Sequence, residues 1–140
     1  MMRTGIFHSV FEDLDEMRAF VGRAAQDAGF DDSGIYQVQL AVDEACSNII
    51  EHGCHGRCEQ EIEITCSDST QGLRIMIRDH GQSFDPNMTD IPDLDMALED
   101  RPVGGLGIYM MRRLMDELHY ETLGEAGNVL TMVKYHKQGT

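Results

Sequence analysis

The sequence predicts an α+β domain: a two-layer α/β sandwich in which a mixed, mostly antiparallel sheet carries helices on one face. Three observations point there. Two helical apolar patterns come first. Two alternating stretches joined by a short polar link follow. After an interval rich in proline and aspartate, a further helix leads into two more alternating stretches. With 140 residues, 41% of them hydrophobic, the chain is long enough for one core and too short for two, so 1–140 reads as a single domain.

The first residues read as strand or coil. Over residues 12 to 28, Leu14, Met17, Phe20 or Val21, Ala24 and Ala28 recur at helical spacing, and Gly29 stops the pattern. Asp31, Asp32 and Ser33 offer caps for a second helix, in which Ile35, Val38, Val42, Ala45 and Ile49 follow three- and four-residue steps up to Gly53. Residues 61–66 and 73–78 alternate apolar and polar, as half-buried strands do, and the 68–72 link makes them a hairpin. Periodicity is then lost from Ser83 to Val103, where all three prolines and five aspartates fall around a possible helical turn at 94–98. This interval, about 85–103, reads as a lid over a site or as a passive surface loop. Gly104-Gly105-Leu106-Gly107 opens a helix running to about Met115, with Ile108, Met111 and Leu114 or Met115 inward. The last two strands fall near 118–123 and 128–135, alternating Leu118/Tyr120/Thr122 and Val129/Thr131/Val133/Tyr135.

Charge and composition exclude some functions. The net charge of −14, from 25 acidic and 11 basic residues, argues against a general nucleic-acid binder, which needs a basic face. It suits a basic partner, or solubility alone. No apolar run approaches the roughly 20 residues of a membrane helix, and the N-terminus has no signal-peptide pattern, so the expectation is cytoplasmic. Cys46, Cys54, Cys58 and Cys66 then read as free thiols. Ten methionines and no tryptophan suggest a soft, adaptable core or contact surface.

Three short stretches carry candidate chemistry. In "VDEACSNIIEHG", Glu44, Asn48 and Glu51 lie off the apolar stripe, one turn apart. That carboxylate and carboxamide suit a hydrated divalent cation, or a base for an attacking hydroxyl, or simply a solvated face. In "DHGQSFD", Asp79 ends a strand with Gly81 two residues on, which sets an acceptor beside backbone that a flat ligand can approach. An ordinary Asx turn reads the same way. Third, the glycines from Gly104 to Gly107 open a helix whose free N–H groups favour an anion. The stretch is neither a Walker loop nor a Rossmann fingerprint.

Their joint order, helix with Glu-x-x-x-Asn, strand with Asp-x-Gly-x-x-Phe, lid, then Gly-x-Gly opening a helix, resembles the N, G1 and G2 boxes of the Bergerat-fold, histidine-kinase-like ATPases. The resemblance covers about residues 6 to 135. Within that superfamily, "EACSNIIEHG" and "RPVGGLGIYMMRRLMDELHYE" look most like the anti-sigma-factor serine kinases. The resemblance implies ATP and Mg²⁺ as cofactors, with Asn48 on the metal and Glu44 as the base that activates a serine hydroxyl. It puts Asp79 on the adenine amine, with Gly81 leaving room and Thr131 helping through water, and Gly105 and Gly107 along the phosphates. Phe84, Gly104 and Leu106 belong to the same nucleotide-binding boxes. The implied partners are a sigma factor and a STAS-type anti-anti-sigma antagonist, and the implied assembly is a homodimer. Family members carry an arginine near the end of the lid. Here Val103 and Gly104 stand there, Arg101 is upstream, and either Arg101 or Arg112 is left to meet the γ-phosphate. Two other readings stay open: a nucleotide-responsive partner-switching module with little kinase activity, and a detached histidine-kinase catalytic domain.

A zinc site from His52, Cys54, His55 and Cys58 is the competing use of the same region. Four N/S ligands suffice for zinc, but these crowd into seven residues and miss the usual finger spacing. His52 is expected to cap or pack at the helix end, Cys54 and Cys58 to be loop thiols, and Cys46 to pack near the core.

Overall fold

Alternation builds the sheet. Five strands, β1 (Met2–His8), β2 (Glu61–Asp68), β3 (Gly72–Asp79), β4 (Glu117–Thr122) and β5 (Asn128–Tyr135), lie in the order β1-β2-β3-β5-β4. This is a computed structural model, and it describes residues 1–52, 60–80 and 105–137. All four pairings are antiparallel, so the sheet among the described residues is antiparallel throughout and not mixed. The 68–72 link does close a hairpin: the Ser69 N–H donates to the Gly72 carbonyl and the Gln71 N–H to Ser69 Oγ. The N-terminal residues form an edge strand.

Among the described residues, three helices cover one face of the sheet: α1 (Leu14–Asp27), α2 (Asp32–His52) and α3 (Gly105–Leu114). Asp31 is the cap that starts α2, its Oδ1 accepting the Gly34 N–H at 2.8 Å. Gly29, at φ +97°, ends the turn after α1 in a conformation that favours glycine. The core joins Met17, Val21 and Ala25 of α1, Val38, Ala41, Val42, Ala45, Cys46 and Ile50 of α2, and Met111 of α3. These pack on Ile62, Ile64, Leu73, Ile75, Ile77 and Met132 of the sheet. Truncating one of the fully buried isoleucines to alanine costs about 2–5 kcal/mol.

The phase of β5 differs from the expected alternation. Leu130 and Met132 face the helices, while Thr131, opposite Met76 and His119, lies on the uncovered face. Apolar residues occupy both faces of this strand, and Val129 is itself buried, so period-two alternation does not single out the inner side.

Packing of α1 against α2 fixes the register of the helix that carries the site. A Cβ at Gly22 would run into the Gln39 side chain, whose Nε2 donates to the Arg18 carbonyl. Arg18 Nη2 also reaches both oxygens of Asp43 at 2.9 Å.

Candidate functional site

The candidate site gathers at one end of the sheet, where β3 stops and β5 starts, below the second half of α2. On α2, the apolar residues turn inward, which leaves Glu44 and Asn48 half-buried and Glu51 exposed on another face. Glu44 and Asn48 are four residues apart, one helical turn. Burial pushes the Glu44 carboxyl above the ordinary glutamate range, and the negative charges of Asp43 and Glu51 push it further the same way. A carboxylate so raised is a stronger base than a solvated one.

Asn48 carries the sharper signal. Its Nδ2 is out of contact with solvent and has no hydrogen-bond partner among the described residues. Buried polar groups are nearly always paired, so an orphan of this kind asks for an explanation. A ligand that arrives at the site is one. The carboxamide also presents an oxygen, the hard donor that Mg²⁺ prefers, and one protein oxygen is enough when phosphates and waters complete the shell. The residues present therefore fit Mg²⁺·nucleotide.

Asp79 is the last residue of β3 and is only 5% exposed. It lies close enough to α2 for its charge to raise the Cys46 thiol, which burial, first, and Asp43 also push up, to about 12. Asn128, opposite Asp79 in the β3–β5 register, donates from Nδ2 to Asp79 Oδ1 at 3.3 Å. The strand end is held on its other side by Gln60, whose Oε1 accepts the His80 N–H at 2.8 Å. Gln60 is in turn tied to Ser9 by two hydrogen bonds, one in each direction. Its Nε2 is the second buried orphan among the described residues. Gly127 completes the frame: at φ +97°, a Cβ there would stand 2.6 Å from the Asp79 carbonyl oxygen, so only glycine lets the β4–β5 turn approach.

The structure brings together some of the expected residues and separates others. Glu44 and Asn48 share a face of α2, and Asp79 lies beneath that helix. Thr131 is not with them. Its side chain points to the uncovered face of the sheet, opposite the face that carries Asp79, because the two strands set Asp79 against Asn128 and Met76 against Thr131. Helix α3 begins at Gly105, so the backbone of Gly105, Leu106 and Gly107 forms its first turn, with N–H groups that have no partner within the helix. Arg112 lies exposed in the last turn of α3. Gly81, Phe84, Gly104, Arg101 and the 85–103 interval lie outside the described residues, as do Cys54, His55 and Cys58. No cluster of three or more metal-ligating side chains occurs among the described residues. Sequence reasoning missed Asn128 and Gln60. Asn128 becomes visible once Leu130 and Met132, not Val129 and Thr131, are read as the inner pair of β5. Gln60 gives no signal in the sequence.

Comparison with known proteins shows the family. A family model described as the histidine kinase-like ATPase domain matches residues 7–134. The chain belongs to the histidine kinase-like ATPase family. Within it, the chain groups with the anti-sigma-factor kinases. It is 31% identical over 123 residues to the serine-protein kinase RsbW of Bacillus cereus (strain AH187), covering 85% of this chain and 75% of that protein. The same figures hold for the serine-protein kinase RsbW of Bacillus thuringiensis (strain Al Hakam). A solved structure of the RsbU and RsbW domains of a Mycobacterium tuberculosis protein superposes with a TM-score of 0.65 at 17% identity, over 96% of this chain. This chain spans 31% of that larger one, and the likeness supports the fold. A histidine kinase-like ATPase domain implies that the chain binds ATP. None of the helices among the described residues is long and apolar enough to cross a membrane.

Proposed function

We propose that this chain is a cytoplasmic, ATP- and Mg²⁺-dependent serine-protein kinase that also acts as an anti-sigma factor. It sequesters a sigma factor and phosphorylates a serine on a STAS-type anti-anti-sigma antagonist. The observation that carries the reading is the pair on α2: a half-buried glutamate raised toward base strength and, one turn on, an asparagine whose buried amide has no partner among the described residues. The names of the RsbW relatives support the choice of serine as acceptor.

The roles follow from chemistry. Asn48 would hold Mg²⁺ through its carboxamide oxygen, where the metal would supply positive charge against the phosphates. Asp79 accepts the adenine amine at the buried end of β3. The first turn of α3, from Gly105 to Gly107, turns N–H groups toward the phosphates, with Gly104, Leu106, Gly81 and Phe84 completing the nucleotide boxes. Glu44 takes the proton of the substrate serine as its oxygen bonds to the γ-phosphorus. The bond from that phosphorus to the β–γ bridging oxygen breaks, and ADP leaves with the electron pair. The added phosphate brings close to two negative charges to an interface with a protein of net charge −14, which favours release of the product.

The test is phosphotransfer from γ-labelled ATP to the cognate antagonist. Acid-stable phosphoserine is expected, and Glu44→Gln should abolish it while ATP still binds. Bound ATP with an unmodified serine would leave a nucleotide-responsive switching module, the alternative favoured by Val103 and Gly104 standing where family members carry an arginine. An acid-labile product would indicate histidine-kinase chemistry instead. Homodimerisation belongs to the proposal, and sedimentation at micromolar concentration reads it directly.

A further inference from the structure

Helix α3 ends against the last residues of β5. Lys134 Nζ donates to the carbonyl oxygen of Leu114, the last residue of the helix, at 2.9 Å. That carbonyl is one of the four at a helix C-terminus that find no donor within the helix, and a cation there also meets the negative end of the helix dipole. Two residues on, the Asp116 N–H donates to the Val133 carbonyl at 2.8 Å, and Asp116 Oδ2 accepts the Tyr135 N–H at 2.7 Å. Residues 114–116 are thus fastened to residues 133–135. The base of this fastening is firm. Lys134 lies opposite the buried Leu73 in the β3–β5 register, and a Cβ at Gly72 would run into the Lys134 carbonyl oxygen. The strand that carries the lysine therefore cannot shift toward β3.

We propose that Lys134 and Asp116 form a positioning clamp for the phosphate end of the nucleotide site: by holding the last turn of α3 on β5, they fix where the N–H groups of its first turn stand. The inference rests on the nucleotide-site reading above. The helix has 10 residues, about 15 Å at its standard rise, and its internal hydrogen bonds make it move as one body. A displacement at Leu114 therefore reaches Gly105 to Gly107. Elsewhere α3 is held by apolar packing, with Met111 and Met115 in the core and Leu114 against it. Methionine side chains adapt to a displaced neighbour, whereas directed hydrogen bonds set the helix along its own axis. Hydrogen bonds to phosphate depend steeply on distance and angle, so a shift of about 1 Å at the first turn weakens them severely. Lys134 and Asp116 sit a helix length from that turn, so both act through α3 and not on the nucleotide. A residue that served only the stability of the domain would weaken the binding of base and phosphates alike.

The experiment measures, by calorimetry on the full chain with Mg²⁺ at about 0.15 M salt, the affinities for ATP and for AMP, which lacks the β- and γ-phosphates. The proteins are wild type, Lys134→Met, Lys134→Arg and Asp116→Ala. Wild type should favour ATP. Lys134→Met should lower the ATP-to-AMP affinity ratio about tenfold, the equivalent of one charge-assisted hydrogen bond, with AMP affinity changed by less than about twofold. Lys134→Arg keeps a cationic donor and should recover most of the ratio. Asp116→Ala should lower the ratio too, by about threefold or more. The long-range field of the charges alone would move the two variants in opposite directions, since one loses a cation and the other an anion. An unchanged ratio in Lys134→Met, with both ligands weakened equally or not at all, overturns the inference. So does a ratio in Asp116→Ala that is unchanged or raised. If Lys134→Met does not fold, the exposed Asp116 still decides by that second criterion. Wild type that binds neither nucleotide overturns the nucleotide-site reading and this inference with it. Wild type that favours ATP, with the same ratio in the variants, overturns the inference alone.

Discussion

Replacing Asn48 by leucine should make the free protein more stable and blind to nucleotide. Asn48 Nδ2 is buried without a partner among the described residues. Leaving a buried N–H unmade costs about 1–3 kcal/mol, and leucine, with the same branched heavy-atom skeleton and no polar group, removes that cost. Leucine is also the better helix former, by roughly half a kcal/mol, in the middle of α2. Asn48 is only half-buried, so the lower part of the range applies, and a net gain of about 1–2 kcal/mol is expected. For a domain of this size that is roughly 3–7 °C in Tm. Urea and thermal melts without nucleotide read the gain. Calorimetric titration with Mg²⁺·ATP reads the loss. Saturating Mg²⁺·ATP should then reverse the order, because wild type gains about 2.7 kcal/mol at a hundredfold excess over Kd and the variant gains nothing. A free Asn48→Leu protein less stable than wild type by 1 kcal/mol or more would show that the amide serves the fold, and unchanged Mg²⁺·ATP binding would show that it does not serve the ligand; either result refutes the reasoning.

The other expectations follow from burial and charge. Glu44→Gln should lose phosphotransfer, keep ATP binding and lose no stability at neutral pH. A carboxyl raised by folding contributes stability below its unfolded pKa and loses it as pH rises through the folded one, so at pH 7 the ionised Glu44 is a cost that glutamine removes. By the same shift, the acid limb of the phosphotransfer rate should fall at a higher pH than for an ordinary glutamate, and a limb at the solvent-exposed value would contradict the base assignment. Cys46 and Cys66, both pushed up to about 12 mainly by burial, should resist thiol reagents at pH 8 in the native protein and react on unfolding; rapid native labelling would place them outside the core. Arg18→Met should cost about 1 kcal/mol in urea melts, since it leaves a half-buried Asp43 without its two-oxygen partner at the α1–α2 junction. Gly127→Ala should destabilise by about 2 kcal/mol or more, from positive φ and the approach to Asp79, and a neutral effect in the same melts would mean that the turn is not packed as described.

The sequence showed the elements where one face of each is buried and the other solvated. Glu61 to Cys66 alternates without exception, and Ile62, Ile64 and Cys66 are the buried set. On α2 the expected stripe holds Val38, Val42 and Ala45 in the core and Ile35 and Ile49 partly buried against it, and the core face is broadened by Ala41, Cys46 and Ile50. The pattern weakened where both faces carry apolar residues. In β5, Val129 and Leu130 are both buried, so alternation could not choose a phase, and Thr131 fell on the wrong side. At the N-terminus, a strand bonded on one edge only, with Phe7 as its single buried residue, reads equally well as coil. For the site, spacing within one helix was legible, since Glu44 and Asn48 are neighbours by helical geometry alone. The pairing of Asp79 with Asn128 spans 49 residues of chain and depends on strand register, which no local pattern contains.

The placement of the costly groups has its own logic. The middle of the sheet is sealed: Leu73, Ile75 and Ile77 of β3 and Met132 of β5 are almost without solvent contact. Polar groups that the fold does not need collect at the strand ends near Asp79 and on the neighbouring turns of α2. They are the amide of Asn48, unpartnered among the described residues, the raised carboxyl of Glu44 and the buried Asp79–Asn128 pair. Each is a local departure from a well-packed core, and such departures concentrate where a sequence serves a ligand and not the fold. The supports of these groups differ in kind from the groups themselves. Gly22, Gln39 and Arg18 lock α1 to α2, and Ser9 and Gln60 hold His80. These contacts are satisfied and local, so they can keep Glu44, Asn48 and Asp79 in place before any nucleotide arrives. Variants of the supports should therefore lower stability and affinity together, whereas variants of the unsatisfied groups should separate the two, as Asn48→Leu does.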